Sequence, residues 1–130
     1  MVRPILCLDF DGVLHSYTSG WKGADVVPDP PVPGAIEFLW GAIRHFDVQI
    51  FSSRSHQQGG IDAMMTWLAK WDADYWRDKG YRPRTGLILC VKFPTAKPAA
   101  MVSIDDRAIT FTGTFPDPAS LLAFQAWNKR

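Results

Sequence analysis

Short apolar runs in this sequence stop abruptly at acidic or hydroxyl residues, and few folds accommodate that pattern. Ile5–Leu8 is a four-residue apolar run that ends at Asp9-Phe10-Asp11-Gly12, as expected for a buried strand closed by a turn. Two later runs end in the same way: Val48–Phe51 before Ser52-Ser53-Arg54, and Met101–Ile104 before Asp105-Asp106. These patterns predict three buried strands with polar groups at their carboxyl ends.

Amphipathic segments separate the apolar runs. Apolar residues at helical spacing predict one helix from Gly34 through Ile43 and another over Ile61–Trp71. Three further segments complete the prediction: a strand at Leu87–Val91, a weaker strand at Ala108–Phe111 and a closing helix at Pro118–Trp127. Strands that alternate with helices indicate an α/β fold, here a three-layer, doubly wound and mostly parallel sheet covered on both faces.

Length and composition point to one ordinary globular unit. The 130 residues fit a single domain spanning 1–130, and 47% hydrophobic residues suffice for a core. Residues 13–33 are dense in glycine and proline, which predicts a long loop, here called the flap. The first apolar run is too short for a signal peptide or a membrane span, so we expect a cytoplasmic protein with no membrane partner. A net charge of +1 excludes a global basic field for nucleic acid.

The chemistry is expected at the carboxyl ends of the strands, where open parallel sheets bind their ligands. Asp9 and Asp11 are two residues apart, so in an extended chain both carboxylates point to one side. That arrangement is costly unless a cation or a shared proton relieves it. Mg²⁺ prefers oxygen ligands of this kind and commonly accompanies a phosphate. Gly12 permits the sharp exit from the strand.

Four segments in order resemble the motifs of the haloacid dehalogenase (HAD) superfamily. Leu8-Asp9-Phe10-Asp11-Gly12-Val13 resembles the DxDG(T/V) signature of its phosphatases. The later motifs are matched by an apolar strand ending in serine, a lysine before proline, and an acidic pair after a strand: Val48–Ser52, Lys97-Pro98 and Val102–Asp106. The resemblance spans residues 5–106 and implies a HAD-like, Rossmann-like domain.

The resemblance implies a role for each matching residue. Asp9 would be the nucleophile that forms an aspartyl-phosphate, and Asp11 the general acid and then general base. Ser52 would hydrogen-bond the phosphoryl group while Lys97 neutralises its charge. Mg²⁺ would be held by the Asp11 main-chain carbonyl and by three carboxylates: Asp9, Asp105 and Asp106.

Several assignments stay open at this stage. Lys92 also lies near a predicted strand end and competes with Lys97, and either acid of the Asp105-Asp106 pair could be the direct metal ligand. Ser53 and Arg54 are expected at the substrate, since arginine binds phosphate in a bidentate manner. The alternative for Arg54 is an ion pair with a nearby aspartate.

Spacing between the motifs bears on the substrate. The 40 residues between Asp11 and Ser52 are taken up by the flap and one helix, so we expect no cap domain. An open site favours a large phosphorylated substrate, such as a nucleic-acid end or a phosphoprotein, or completion by a neighbouring subunit. The stretch Tyr75–Arg84 holds four basic and three aromatic residues, a composition that suits either single-stranded nucleic acid or a solvated helix end.

Other functions use similar residues. A non-catalytic receiver-like module also gathers aspartates, a serine or threonine and a lysine around Mg²⁺, but its acidic pair comes first and its phosphorylated aspartate lies on a middle strand. A DxD nucleotide-sugar transferase would need a longer chain. A phosphotransferase would use the same aspartyl-phosphate with an acceptor other than water. The leading prediction is a Mg²⁺-dependent phosphatase.

Overall fold

Three parallel strands organise the molecule. The computed structural model describes residues 2–129 and contains β1 (Ile5–Leu8), β2 (Asp47–Ile50) and β3 (Val102–Ile104). The strand order is β2-β1-β3, with Leu8 of β1 level with Ile50 on one side and Ile104 on the other. The three strands that the sequence predicts before polar residues are therefore present, and they end at one edge of the sheet. β1 and β2 are largely buried as predicted, whereas the residues of β3 are exposed, because no helix in the described residues covers this edge strand.

Two α-helices connect and cover the strands. α1 (Ala35–Ala42) lies between β1 and β2, and α2 (Gly60–Asp78) follows β2. Both have an apolar face in the predicted positions, and α2 continues beyond Trp71 to Asp78. The chain thus has an α/β fold with an open parallel sheet.

The core lies between one face of the sheet and both helices. Alternate strand residues point to the same face, and the buried cluster combines those residues with the apolar stripes of the helices: Leu6, Leu8, Val48, Ile50, Ile36, Leu39, Met64 and Leu68. α1 and α2 also touch each other, through a hydrogen bond from Trp40 Nε1 to Asp72 (2.7 Å). Both helices therefore cover the same face. Between residues 93 and 101, where the chain crosses back to β3, it forms no helix, so the predicted helical layer on the other face does not appear in the described residues.

The predicted strand at Leu87–Val91 is wrong. Leu87–Leu89 forms a 3₁₀ helix instead, because the Leu87 N–H donates to the Asp72 carboxylate (2.9 Å) and Cys90 N–H donates back to the Leu87 carbonyl (2.8 Å). An isolated bridge between Gln49 and Lys92 is the sheet-like contact of this segment. A short apolar run is compatible with either element, so periodicity did not decide it.

The C-terminal part also differs from the prediction. Ala108–Phe111 forms no strand, and the closing helix is a 3₁₀ helix at Pro118–Ala123 rather than an α-helix to Trp127. Apolar side chains in this C-terminal part are largely exposed, with Phe115 at 85% and Leu122 at 91%. Without a buried face, an amphipathic pattern gains little from helix formation.

The flap, residues 13–33, contains turns and isolated bridges, one of which pairs His15 with Pro31. It returns to the strand ends at several points, where its carbonyls meet Arg54. Among residues 2–129, no helix combines the length and apolarity needed to cross a bilayer.

Candidate functional site

Polar residues that follow the three strands lie at the same edge of the sheet. The ladder continues one step beyond the strands, with Asp9 N–H donating to the Ile104 carbonyl and Phe51 N–H to the Leu8 carbonyl (both 3.0 Å). These bonds hold the start of each polar segment level with its neighbours. The sheet register therefore brings Asp9, Ser52 and Asp105 to one edge.

Three carboxylates form an acidic cluster there. One carboxylate oxygen each from Asp9, Asp105 and Asp106 lies within 4.8 Å of the others. The Asp106 Oδ1 atom is buried and has no hydrogen-bond partner among the described residues. An unpartnered buried carboxylate oxygen is costly, and hard divalent cations are bound by oxygen ligands of this kind. The acidic cluster therefore fits a bound cation.

The electrostatics of Asp9 support the same conclusion. The pKa of Asp9 is raised to about 8, chiefly by burial and further by a hydrogen bond with Asp106 and the nearby charges of Asp105 and Asp106. Without a cation, the protein thus relieves the repulsion by keeping a proton on Asp9 at neutral pH. A divalent cation would compete with that proton for the same oxygens.

Gly12 gives the acidic cluster room. Its φ of 84° lies in the left-handed region, where a side chain is strained. A Cβ at this position would also lie 2.2 Å from Asp106 Oδ2. The sequence pattern explains Gly12 only by the sharp exit from the strand. The structure adds a second reason, because Asp106 occupies the space that a side chain at position 12 would need.

A cavity of about 150 Å³ opens beside Asp9. Three of the four predicted catalytic residues line it, Asp9, Ser52 and Lys97, and Asp11 does not. The predicted substrate-binding Ser53 and the predicted metal ligand Asp105 also belong to the lining. Ser52 is buried, and its Oγ accepts a hydrogen bond from Arg54 N–H (2.9 Å). That bond does not use the hydroxyl proton, so Ser52 can donate to a group in the cavity. The volume suits a phosphoryl-sized group rather than a whole metabolite.

The two candidate lysines have different surroundings. Lys97 lines the cavity, and its charge counteracts the burial that raises the pKa of Cys7 in the cavity wall. Lys92 Nζ instead forms an exposed ion pair with Asp47 (3.0 Å). The geometry therefore favours Lys97 as the cation that faces a bound anion.

Asp11 is separated from the acidic cluster by its partners. Arg54 donates to both of its carboxylate oxygens, from Nε (2.9 Å) and from the second guanidinium nitrogen (3.1 Å), and His15 Nδ1 lies 2.8 Å from Asp11 Oδ1. Burial acts to raise the pKa of Asp11, but hydrogen bonds from His15 and Arg54 and the Arg54 charge outweigh it and lower the pKa. Asp11 is therefore a carboxylate at neutral pH. The resemblance implies that Asp11 binds the metal through its main-chain carbonyl, and none of these side-chain bonds involves that carbonyl.

Arg54 is a buried anchor for the flap. Its side chain is fully buried, and its remaining terminal nitrogen donates to the carbonyls of Gly23, Ala24 and Val26 at 2.9–3.0 Å. The guanidinium also packs over the Trp21 ring, 4.8 Å from its centroid. We therefore do not retain Arg54 as a substrate-binding residue; the alternative, an ion pair with an aspartate, describes its position.

His15 has a role that the sequence did not indicate. The ring is fully buried, and Nε2 accepts a hydrogen bond from Asp29 N–H (3.1 Å). Since Nε2 is the acceptor, the proton of the neutral ring is on Nδ1 and is donated to Asp11. Trp67 Nε1, on α2, donates to the Asp29 carbonyl (2.8 Å). This bond helps to hold the Asp29 main chain against His15.

The C-terminal segment also reaches the site. Trp127 Nε1 donates to the Gly12 carbonyl (2.8 Å) across 115 residues of sequence. No spacing rule could have found this contact, because neither residue belongs to a local pattern that involves the other.

Comparison of this chain with protein-family models, with curated proteins and with solved structures finds no match.

Proposed function

We propose that this protein is a Mg²⁺-dependent phosphatase of the HAD type, which hydrolyses a phosphoester through an aspartyl-phosphate on Asp9. The observation that carries the proposal is the grouping of Asp9, Ser52, Lys97 and the acidic cluster around one small cavity. A nucleophile, a hydrogen-bond donor and a cation facing the same phosphoryl-sized space are the parts that phosphoryl transfer requires. A cytoplasmic location and a reduced, capless form of the HAD fold belong to the same proposal.

The acidic cluster would hold the metal, together with the Asp11 main-chain carbonyl that the resemblance implies. When bound, Mg²⁺ neutralises charge on the phosphoryl oxygens and on the carboxylates. The pKa of about 8 for Asp9 means that the nucleophile must lose its proton before it attacks.

In the first step, a carboxylate oxygen of Asp9 forms a bond to phosphorus while the bond from phosphorus to the ester oxygen breaks. Ser52 donates a hydrogen bond to the phosphoryl group, and Lys97 offsets its charge. The leaving alkoxide takes a proton through Asp11. Because the pKa of Asp11 is lowered, Asp11 must first receive that proton, and a phosphomonoester that binds as its monoanion, with a second pKa of about 6, can supply it.

In the second step, Asp11 acts as the base. It removes a proton from water, whose oxygen attacks phosphorus and displaces the Asp9 carboxylate, so inorganic phosphate is released and Asp9 is restored. The bonds from Arg54 and His15 hold Asp11 in its ionised form, which is the form that this step needs. They also fix its orientation, which a general base requires.

The size of the cavity supports a large substrate. About 150 Å³ encloses a phosphoryl group but little more, and the connections around the site consist of the flap, two helices and loops. We therefore propose that the rest of the substrate lies outside the cavity, as the end of a nucleic acid or a phosphorylated side chain of a protein would. Transfer to an acceptor other than water would use the same residues.

The test is phosphate release in the presence of Mg²⁺ from an aryl phosphate, mononucleotides, oligonucleotides phosphorylated at either end, and phosphopeptides. The wild-type protein should release phosphate, and Asp9→Asn should lose at least about a thousandfold of the rate, because removal of a nucleophile leaves only positioning. Asp62→Asn, which neutralises an exposed aspartate in the first turn of α2, is the matched control and should keep full activity.

Full activity in Asp9→Asn, or no release from any substrate of the panel, would overturn the proposal. A protein that gains phosphate on Asp9 and never turns over would instead be a receiver-like module.

A further inference from the structure

A second cavity lies at the far end of α2 from the acidic cluster. It encloses about 700 Å³ and is lined by the last turns of α2 and the loop that follows, including Trp76, Tyr81, Arg82 and Arg84. Gly60, which starts α2, packs against the Arg54 main chain, whereas Trp76 lies about 24 Å further along the helix axis. This α2-end cavity is therefore separate from the candidate active site.

Aromatic rings form one wall of the cavity. Trp76 packs edge-on against Trp40 and Tyr81, with ring centroids 5.5 and 5.2 Å apart. Trp40 and Trp76 are partly buried, while Tyr81 is 60% exposed. An exposed ring held in place by a fixed aromatic neighbour offers a flat surface on which a planar group can stack.

Positive charge surrounds the opening. Arg82 and Arg84 line the cavity, and neither is ion-paired with a carboxylate in the described part of the chain. Arg77 is also at the cavity, pairs with Asp74 (2.7 Å) and remains largely exposed. The one acid in the lining, Asp72, already accepts hydrogen bonds from Trp40 Nε1 and Leu87 N–H. The cavity thus combines stacking surface with unpaired cations and matches an anionic aromatic ligand.

We propose that the α2-end cavity binds single-stranded nucleic acid, with a base stacked on Tyr81 and adjoining phosphates at Arg82 and Arg84. Stacking surfaces interleaved with cations are the usual means of holding a single strand. Two unpaired arginines and a third at the rim exceed what one phosphate requires, which favours a strand over a mononucleotide. The proposal does not depend on hydrolysis at Asp9, because the two sites lie at opposite ends of α2.

The experiment measures fluorescence anisotropy of a labelled oligothymidylate of about ten nucleotides, a length within the range that one such surface holds. EDTA is present, so that no substrate is turned over. Wild-type protein should bind with a Kd of about 1–100 μM at moderate salt, and Asp9→Asn should bind equally well. Tyr81→Ala should weaken binding about tenfold through lost stacking, whereas Phe115→Ala, which removes an exposed ring elsewhere, should have no effect.

Charge is tested by a matched pair of double variants. Replacement of Arg82 and Arg84 by glutamine should reduce the slope of log K against log salt by about 1.4, since each phosphate contact on a single strand contributes about 0.7. Replacement of the exposed Lys22 and Lys129 by glutamine removes the same charge outside the cavity and should leave the slope unchanged.

Three results would overturn the proposal: no saturable binding, equal losses in the arginine and lysine pairs, or an unchanged affinity in Tyr81→Ala. Equal affinity for AMP and the oligonucleotide would contradict the assignment to a strand, as would equal competition by an acidic peptide. Circular dichroism of each variant identifies any loss that comes from unfolding.

Discussion

Asp9 and Asp11 are separated by one residue, yet they lie in opposite electrostatic surroundings. Asp9 is largely desolvated and faces the carboxylates of Asp105 and Asp106, and burial, with these neighbours adding to it, raises its pKa to about 8. Asp11 faces Arg54 and His15, and its pKa is lowered. The chain therefore gives two chemically identical side chains, two residues apart, opposite pKa shifts.

The two sides also differ in whether the protein supplies partners for the carboxylate oxygens. The Asp11 side is complete, because protein donors satisfy both carboxylate oxygens. The Asp9 side is incomplete within the protein, because a buried Asp106 oxygen has no partner among the described residues. A bound divalent cation would supply positive charge to these carboxylate oxygens. Pairs of groups whose surroundings push their pKa values apart mark acid and base assignments.

The largest expected effect comes from removing the cation on the Asp11 side. Arg54→Met leaves the buried Asp11 carboxylate without its charge partner and three flap carbonyls without their donor. We expect a loss of about 3–5 kcal/mol in the free energy of unfolding, as for other broken buried ion pairs. Urea denaturation measures it. Lys92→Met removes an exposed ion pair and should cost less than about 1 kcal/mol; similar losses in the two variants would contradict the account of Arg54.

A smaller effect is expected on the Asp9 side when Gly12 gains a methyl group. Gly12→Ala should cost about 1–2 kcal/mol for its left-handed backbone, and it should weaken Mg²⁺ binding about 10–100-fold because the methyl displaces Asp106. Gly20→Ala is the control, since Gly20 has a φ of 74° and a Cβ there would meet no atom within 4 Å. Calorimetric titration with Mg²⁺ separates the two variants: if Gly20→Ala weakened Mg²⁺ binding equally, displacement of Asp106 would not be the cause.

Competition between Mg²⁺ and the Asp9 proton should make the affinity for Mg²⁺ depend on pH. Because Asp9 holds its proton up to about pH 8, Mg²⁺ affinity should rise about tenfold per pH unit below that value and level off above it. The same titration at several pH values measures the slope. Asp9→Asn should bind Mg²⁺ more weakly and with little dependence on pH over this range. A steep slope that persists in Asp9→Asn would place the competing proton elsewhere.

The stability of the metal-free protein should depend on pH with opposite signs for the two aspartates. The folded pKa of Asp9 is above the unfolded value, so its contribution is present below about pH 4 and is lost as the pH rises towards about 8. The folded pKa of Asp11 is lowered, so its contribution is present above about pH 4 and is lost as the pH falls further. Each limb has a slope of at most about 1.4 kcal/mol per pH unit.

Single variants assign the two limbs. Asp9→Asn should flatten the change between about pH 4 and pH 8, and Asp11→Asn should flatten the acid limb. Urea denaturation across the pH range measures both. A single limb removed by either variant would show that the two aspartates titrate as one unit.

The sequence predicted the parts of the fold that rest on local patterns. β1, β2, β3, α1 and α2 follow from apolar runs and helical spacing, and their polar ends meet because parallel strands share an edge. The predicted strand at Leu87–Val91 was wrong because Asp72, on α2, accepts a hydrogen bond from the first backbone N–H of this segment. The C-terminal elements failed because their apolar residues find little to pack against.

The sequence predicted most residues of the candidate site, but not the hydrogen bonds and ion pairs that connect them. Asp9, Ser52 and Lys97 share a cavity as expected. The bond between Arg54 and Asp11 joins residues 43 positions apart, and the burial of His15 depends on flap and helix contacts that no spacing records. Sequence patterns indicate which residues reach the edge of a sheet, whereas the pairing of charges there depends on how a loop returns.

Trapping the proposed aspartyl-phosphate on Asp9 is the most direct test of the proposed function. The protein is mixed with Mg²⁺ and the best substrate of the panel, quenched in acid and treated with borohydride, which reduces an acyl phosphate on aspartate to homoserine. Peptide mass spectrometry then locates the product. We expect homoserine at position 9, dependent on Mg²⁺ and substrate and absent in Asp9→Asn. Homoserine at another aspartate, or continued phosphate release with position 9 unlabelled, would contradict it.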